Sequence, residues 1–186
     1  MQEHNDDGPA CLTHAVRNAK RMLDVRKIPG DDVEVTIPCD EVIFSLTRGD
    51  STLLAFVKDV HKKSLTAVQE FATEHTIPRV IVAYQNKCTP MATKDMQSIG
   101  FECFKMQELV VFPLDSELVP EYTLLNEEEA AVVRTQYDAS RLPAIYTTDR
   151  VQRIFAGKVN DIYRIVARFG ALQAETKYRV VREPST

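Results

Sequence analysis

The residues whose types and spacing carry the most chemistry are Lys87-Cys88-Thr89-Pro90-Met91-Ala92-Thr93-Lys94. Thr is a preferred helix N-cap and Pro a preferred first helical residue, so Thr89-Pro90 predicts a helix start whose free amides carry positive partial charge. With Lys87 and Lys94 on either side, such an end can take a phosphate oxygen without reading a base. The same residues also suit a plain cap. Other chemistry is sparse: no G-x-S-x-G, P-loop, G-x-G-x-x-G or D-x-D motif occurs, and the chain has only six glycines in all. His4, His14, His61 and His75 show no H-x-x-x-H or H-E-x-x-H spacing, and Cys11, Cys39, Cys88 and Cys103 form no C-x-x-C pair. The expectation is no metal, no cofactor, no disulfide framework and four ordinary thiols.

The elements that must hold these residues are readable from periodicity. Leu12, Ala15, Val16, Ala19, Met22 and Leu23 share one face of a helix that Pro29-Gly30-Asp31 closes. Val33 to Ile37 alternates as a strand. Glu41 to Thr47 and Thr52 to Lys58 then flank Arg48-Gly49-Asp50-Ser51, which predicts a hairpin. The Arg-Gly-Asp triplet is read as that turn and not as an adhesion ligand. Ser64 to His75 is a helix with Ser64 as its cap, and Arg79 to Tyr84 is an interior parallel strand. Pro90 to Ile99 is a helix closed by Gly100, and Phe101 to Met106 and Leu109 to Phe112 complete the sheet.

This order predicts an α/β layer sandwich, and Pro113 to Tyr122 reads as a hinge-like connection. Beyond it, Asn126-Glu127-Glu128-Glu129 has the form of a capping box, which accounts for its three carboxylates without invoking catalysis. The helix it opens carries Ala130, Val133 and Tyr137 inward. Leu142 to Tyr146 is strand-like, Val151 to Phe155 a short helix or turn, and Asp161 to Arg168 and Thr176 to Val181 alternate as strands. The result is a second small α/β module, marginal alone and suited to docking on something larger.

Composition bounds the function. The 186 residues are 44% hydrophobic and 27% charged, as in a folded globular protein and unlike a disordered one. No apolar run is long enough for a membrane helix, and Met1 to Asp7 lacks the basic and apolar regions of a signal peptide, so a soluble intracellular protein is expected. The net charge of −4 argues against coating nucleic acid by electrostatics alone. Residues 1–124 carry 13 basic and 19 acidic groups, net −6, and residues 125–186 carry 10 and 8, net +2, which hints at two modules with different neighbours. The α/β order also resembles the nuclease fold that holds Mg²⁺ on Asp and Glu-x-Lys. Here the strand reads Phe56-Val57-Lys58, with phenylalanine where a carboxylate ligand is needed, which argues against metal-dependent cleavage.

From Leu118 to Arg182 the chain resembles the C-terminal domain of the fifth common subunit of eukaryotic nuclear RNA polymerases, a domain that also has an archaeal counterpart. The matching pieces are Leu118-Val119-Pro120-Glu121, Glu127 to Glu129, Tyr137, Leu142-Pro143, Asp149 with Val151 and Arg153, Phe155, Lys158, and Tyr178-Arg179-Val180-Val181. A fainter resemblance continues upstream through Arg79-Val80-Ile81-Val82, Thr89-Pro90 with Ala92, and Gln107-Glu108-Leu109. It implies a nuclease-like but inactive three-layer α/β jaw domain over residues 1–117 and an α/β, mixed-sheet assembly domain over residues 118–186. Lys87, Thr89, Pro90, Ala92 and Lys94 would lie near downstream double-stranded DNA and touch its backbone. Tyr137, Leu142, Pro143, Asp149, Arg153 and Arg179 would build the assembly fold or its interface.

The implied partners are the largest subunit of RNA polymerase and other polymerase subunits, in the nucleus, or the nucleolus for a form specialised to polymerase I. The family's Pro after Asp149 is Arg150 here, its glycine after the aromatic is Ala156, and its polar loop is replaced by Ala167 to Gln173, which suggests a divergent paralogue serving a particular polymerase, or a member from a deeply branching or viral lineage, rather than a standard shared subunit. The expected function is that of a non-catalytic polymerase subunit; a stand-alone transcription adaptor and a nuclease-like hydrolase stay as alternatives.

Overall fold

The computed structural model of the chain describes residues 8–138, 141–169 and 173–184. They divide into two compact units between Val111 and Phe112, upstream of the boundary expected between 117 and 118. Phe112 is buried and Pro113–Asp115 forms a 3-10 turn that packs on a helix of the second unit, which is why this segment belongs there rather than to a free hinge.

The first unit is built on a five-stranded sheet of order β1-β2-β3-β4-β5. β1 (Asp32–Glu34), β2 (Val42–Arg48) and β3 (Thr52–Val60) run antiparallel, while β3, β4 (Arg79–Cys88) and β5 (Glu102–Lys105) run parallel. The parallel steps are bridged by α2 (Lys62–Glu74) and α3 (Pro90–Ile99). Because side chains alternate along a strand, Leu53, Ala55 and Val57 of β3 and Val80 and Val82 of β4 share one face. They form one buried cluster with Leu65, Val68 and Ala72 of α2 and Ala92 and Met96 of α3. The intervening Leu54, Phe56, Ile81 and Ala83 are buried on the opposite face. There α4 (Met106–Val110) meets β4 and β5, and α1 (Gly8–Val25) lies along α4. Asn18 of α1, itself buried, donates to the carbonyls of Leu109 and Val110, both at 2.8 Å. The three-layer expectation is met.

Several local readings shift. The strand expected over Val33–Ile37 shortens to β1, because Pro38 has no amide and Cys39 N–H turns back onto the Ile37 carbonyl at 2.8 Å. Ser64 is not the cap of α2: His61 is, and Ser64 is the third helical residue of a capping box, with His61 N–H donating to its Oγ at 3.0 Å. Leu109–Phe112 is not a strand, since Leu109 and Val110 close α4 and their carbonyls bond Asn18. The Arg48-Gly49-Asp50 turn does join β2 and β3. Its Arg48 side chain is only 7% exposed and pairs with Asp24 and with Asp32 at 2.7 Å, so the triplet presents no free guanidinium.

The second unit is a four-stranded mixed sheet of order β6-β8-β9-β7. β6 (Glu121–Leu124) was hidden in the stretch read as a connection; it pairs antiparallel with β8 (Ile162–Phe169), which pairs antiparallel with β9 (Gln173–Arg182). β7 (Ala144–Tyr146) lies parallel to β9 at the other edge. α5 (Glu127–Gln136) covers one face, where its Ala130 and Val133 cluster with Leu125 and with Ile162 of β8. Ile145, Tyr163, Ile165 and Val181 fill the other, together with Phe155 of α6 (Arg150–Phe155). Met1 to Asp7 and the centre of the Ala167–Gln173 segment lie outside the described residues.

Candidate nucleic-acid interface and assembly face

The end of β4 and the start of α3 form the candidate phosphate site. Thr89 is the N-cap in extended conformation, its Oγ1 accepts from Ala92 N–H at 3.2 Å, and Pro90 is the first helical residue. Gly100 closes the helix with φ of 76°, the left-handed geometry for which glycine is suited. The cap limits what the helix end can offer. Pro90 has no amide, Ala92's is bonded to Thr89 Oγ1, and Thr93's bonds the Thr89 carbonyl at 2.9 Å, which leaves the Met91 amide as the first-turn donor. Positive charge from Lys87 and Lys94, both exposed, therefore outweighs the helix amides as a source of phosphate attraction. Ala92 is buried among Val60, Val68 and Met96 and has no surface to offer, whereas Met91 beside it is 76% exposed.

The loop is tied to the preceding strand by residues that the sequence does not single out. Between Val57 and Asp59 the β3–β4 register slips by one, so that Val57 faces Tyr84 while Asp59 faces Lys87, and β4 carries an extra residue there. Such a bulge re-aims side chains and opens the ladder. Asp59 Oδ1 takes the Lys87 amide at 3.0 Å, Oδ2 receives Asn86 Nδ2 at 3.4 Å, and the Val60 carbonyl receives the Thr89 amide at 3.1 Å. The buried Ser64 hydroxyl in turn donates to the Asp59 carbonyl at 3.0 Å. No periodicity marks Asp59; its place at the carboxyl end of a parallel strand, where α/β folds put their working residues, was the signal available.

The residues expected to shape the second unit separate onto its two faces. Tyr137 closes α5 and is 48% exposed instead of inward, its ring 5.7 Å from that of Tyr178. Leu142 packs on the α5 core, and the Pro143 carbonyl receives the Val180 amide at 3.0 Å. Asp149 caps α6, its Oδ1 accepting from Val151 N–H at 2.8 Å and Gln152 N–H at 3.3 Å. Arg153 follows on that helix, half-buried. Arg179 lies opposite Tyr163, hence on the face of Tyr122, which neighbours Tyr163 edge-on at 6.1 Å. Burial pushes the Tyr122 hydroxyl pKa up; Arg179 partly offsets this and Asp149 adds to it, so these three groups share one electrostatic neighbourhood. Tyr137 and Leu142 are thus structural partners of α5, and Asp149 and Arg179 border the opposite face.

A buried polar network also went unforeseen. Tyr163, fully buried, donates to Gln152 Oε1 at 2.5 Å, and Gln152 Nε2 donates to the Gly157 carbonyl. A side chain at Gly157 would meet Tyr163 Oη at 2.7 Å and Gln152 Oε1 at 2.9 Å. A glutamine on the apolar side of a short helix was the sequence trace of this network.

On the nuclease alternative, Phe56 is fully buried against Phe44, with ring centroids 6.0 Å apart, and occupies the inner layer rather than an exposed strand end. Among the described residues no three His, Cys, Asp or Glu side chains converge on a common point, and no helix is long and apolar enough to cross a membrane.

Comparison with known proteins adds four findings. Residues 112–181 match the family described as RNA polymerase Rpb5, C-terminal domain. The chain is 30% identical over 143 residues to DNA-directed RNA polymerase subunit 5 of Acanthamoeba polyphaga mimivirus, which covers 73% of this chain and 69% of that protein. It is 31% identical over 128 residues, 64% of this chain and 59% of the relative, to the DNA-directed RNA polymerases I, II, and III subunit RPABC1 of Caenorhabditis elegans. A 69-residue match to DNA-directed RNA polymerase subunit Rpo5 of Methanothrix thermoacetophila reaches 42% identity and spans 36% of this chain but 88% of the archaeal protein.

Proposed function

The chain belongs to the Rpb5 family of DNA-directed RNA polymerase subunits, and from that premise we propose that it is a non-catalytic subunit of a multisubunit nuclear polymerase. The second unit docks on the largest subunit, and the first serves as a lower jaw beside downstream duplex DNA. Catalysis resides in other subunits. The observation that carries this reading is the coincidence of two independent boundaries: the second unit begins at Phe112, and so does the segment that matches the family. A unit that is both a separate core and the family's shared part is suited to be the piece that joins the assembly.

The jaw role rests on Lys87 and Lys94 at an ordered helix start. They supply charge and no base-reading geometry, which fits a subunit that touches duplex backbone while the rest of the polymerase holds it. Specialisation to one polymerase is supported by Arg150 at the first position of α6 and by Ala156, two departures from the family pattern.

Tagging the chain, purifying it at moderate salt and identifying the large subunits recovered with it tests the reading. A very large particle containing catalytic subunits is expected, with one polymerase enriched. Equal recovery of all nuclear polymerases would remove the specialisation, and recovery without any catalytic subunit would favour the adaptor. For the jaw, replacing both Lys87 and Lys94 by Ala should lower the salt slope of downstream-duplex engagement by up to about 2 and weaken binding most at low salt. An unchanged slope in the complete polymerase would remove the DNA role.

A further inference from the structure

We infer that Asp59 is a positioning residue that fixes the Lys87–Thr89 loop for phosphate contact while its charge restrains that loop's attraction for DNA; this rests on the DNA-facing reading of the loop. Three observations converge on it. The register slip between Val57 and Asp59 puts an extra residue into β4 just before Lys87, and the Lys87 amide there donates to the Asp59 carboxylate at 3.0 Å. The same carboxylate receives Asn86, the residue next to Lys87, through its other oxygen. Asp59 is itself held from behind, because the buried Ser64 hydroxyl donates to its carbonyl while accepting from the His61 amide, both at 3.0 Å.

A neutral turn would have needed only an amide or hydroxyl acceptor here. A carboxylate gives a stronger bond to the Lys87 amide, but it also places a negative charge within hydrogen-bond distance of the residue whose ammonium is meant to meet a phosphate. The two effects oppose each other in DNA contact and can be separated by substitution. Asp59→Asn keeps an oxygen for the Lys87 amide and removes the charge; Asn86 can turn its amide to present oxygen to the new Nδ2. Asp59→Ala removes both.

The test has two readouts. Amide exchange in the full chain reads positioning without DNA. Lys87 should exchange about tenfold faster or more in Asp59→Ala, stay within about threefold of wild type in Asp59→Asn, and leave Val82 in mid-β4 unchanged in both. Downstream-duplex affinity of the polymerase carrying each variant reads the electrostatics. At low salt, Asp59→Asn should bind about twofold tighter and Asp59→Ala about twofold or more weaker than wild type. Equal Lys87 exchange in all three proteins overturns the positioning role, and tighter binding by both variants reduces Asp59 to a simple charge. If Lys87→Ala with Lys94→Ala has no effect on DNA while the exchange pattern holds, the DNA reading fails and the loop anchor stands.

Discussion

Ala156 holds φ of 55° and ψ of 37° at the C-cap of α6, a left-handed conformation that costs an L-residue about 1 kcal/mol. Next to it, Gly157 sits where a Cβ would press on the bonded Tyr163–Gln152 pair. These neighbours should therefore respond in opposite directions. Ala156→Gly is expected to stabilise the second unit by about 0.5 kcal/mol after the entropy of the added glycine is counted, and Gly157→Ala to destabilise it by about 2 kcal/mol or more. Urea midpoints at unchanged m-value check both. Resemblance alone points to the first of these positions and not to the second, because the steric demand at Gly157 comes from Tyr163, which reaches it only through the folded sheet. Tyr137 departs from expectation for a related reason: helical spacing places it on the inward side, but α5 ends at Gln136 and its ring turns out toward Tyr178.

Elements with local signals were legible and those settled by distant packing were not. The capping box of α5 forms as read, with Glu129 N–H donating to Asn126 Oδ1 at 2.9 Å and Asn126 N–H to Glu129 Oε2 at 3.1 Å. Asn126→Ala should cost about 1 kcal/mol, measured by thermal unfolding. In contrast, Met106–Val110 is five residues, too short for periodicity to assign, and packing on α1 decides it. β6 is recognisable only through its pairing with β8, some forty residues on. The link among α1, β1 and β2 is likewise invisible in sequence: Arg48 joins Asp24 of the first to Asp32 of the second. The hydrogen bond from Arg48 is the main cause that holds the Asp32 carboxyl below its ordinary value, and burial partly offsets it. A depressed carboxyl contributes stability above the usual carboxylate range, near pH 3.9, and that contribution fades as pH falls through its folded value. Asp32→Asn should lose about 1–2 kcal/mol at pH 7 and converge on wild type in strong acid, as followed by denaturant midpoints across pH.

On the scale of the whole molecule, the charge asymmetry takes a different form once the units are known. Divided at Val111/Phe112, residues 1–111 carry 13 basic and 16 acidic groups, net −3, and residues 112–186 carry 10 and 11, net −1. The contrast between −6 and +2 came from counting Asp115, Glu117 and Glu121 with the wrong unit. Neither unit has the charge to hold DNA alone, in keeping with a proposed contact confined to one loop. The archaeal relative, matched over 88% of its length by 69 residues, is little longer than one such unit. Residues 112–186 expressed alone are therefore expected to unfold cooperatively and to retrieve polymerase subunits. A fragment that lacks a sigmoidal melt would show that the second unit depends on the first.

The bond from Asn18 to Leu109 and Val110 spans 91 and 92 residues, and it sets a timetable for synthesis. α1, which carries the buried Ala15, Ala19, Met22 and Leu23, is made long before α4, on which it packs. At about 5–20 residues per second that wait is on the order of 5–20 s. For that interval α1 lacks the element it packs on, so α1 is where a ribosome-associated chaperone would be needed, and a ribosome stalled before Leu109 would leave it without that partner.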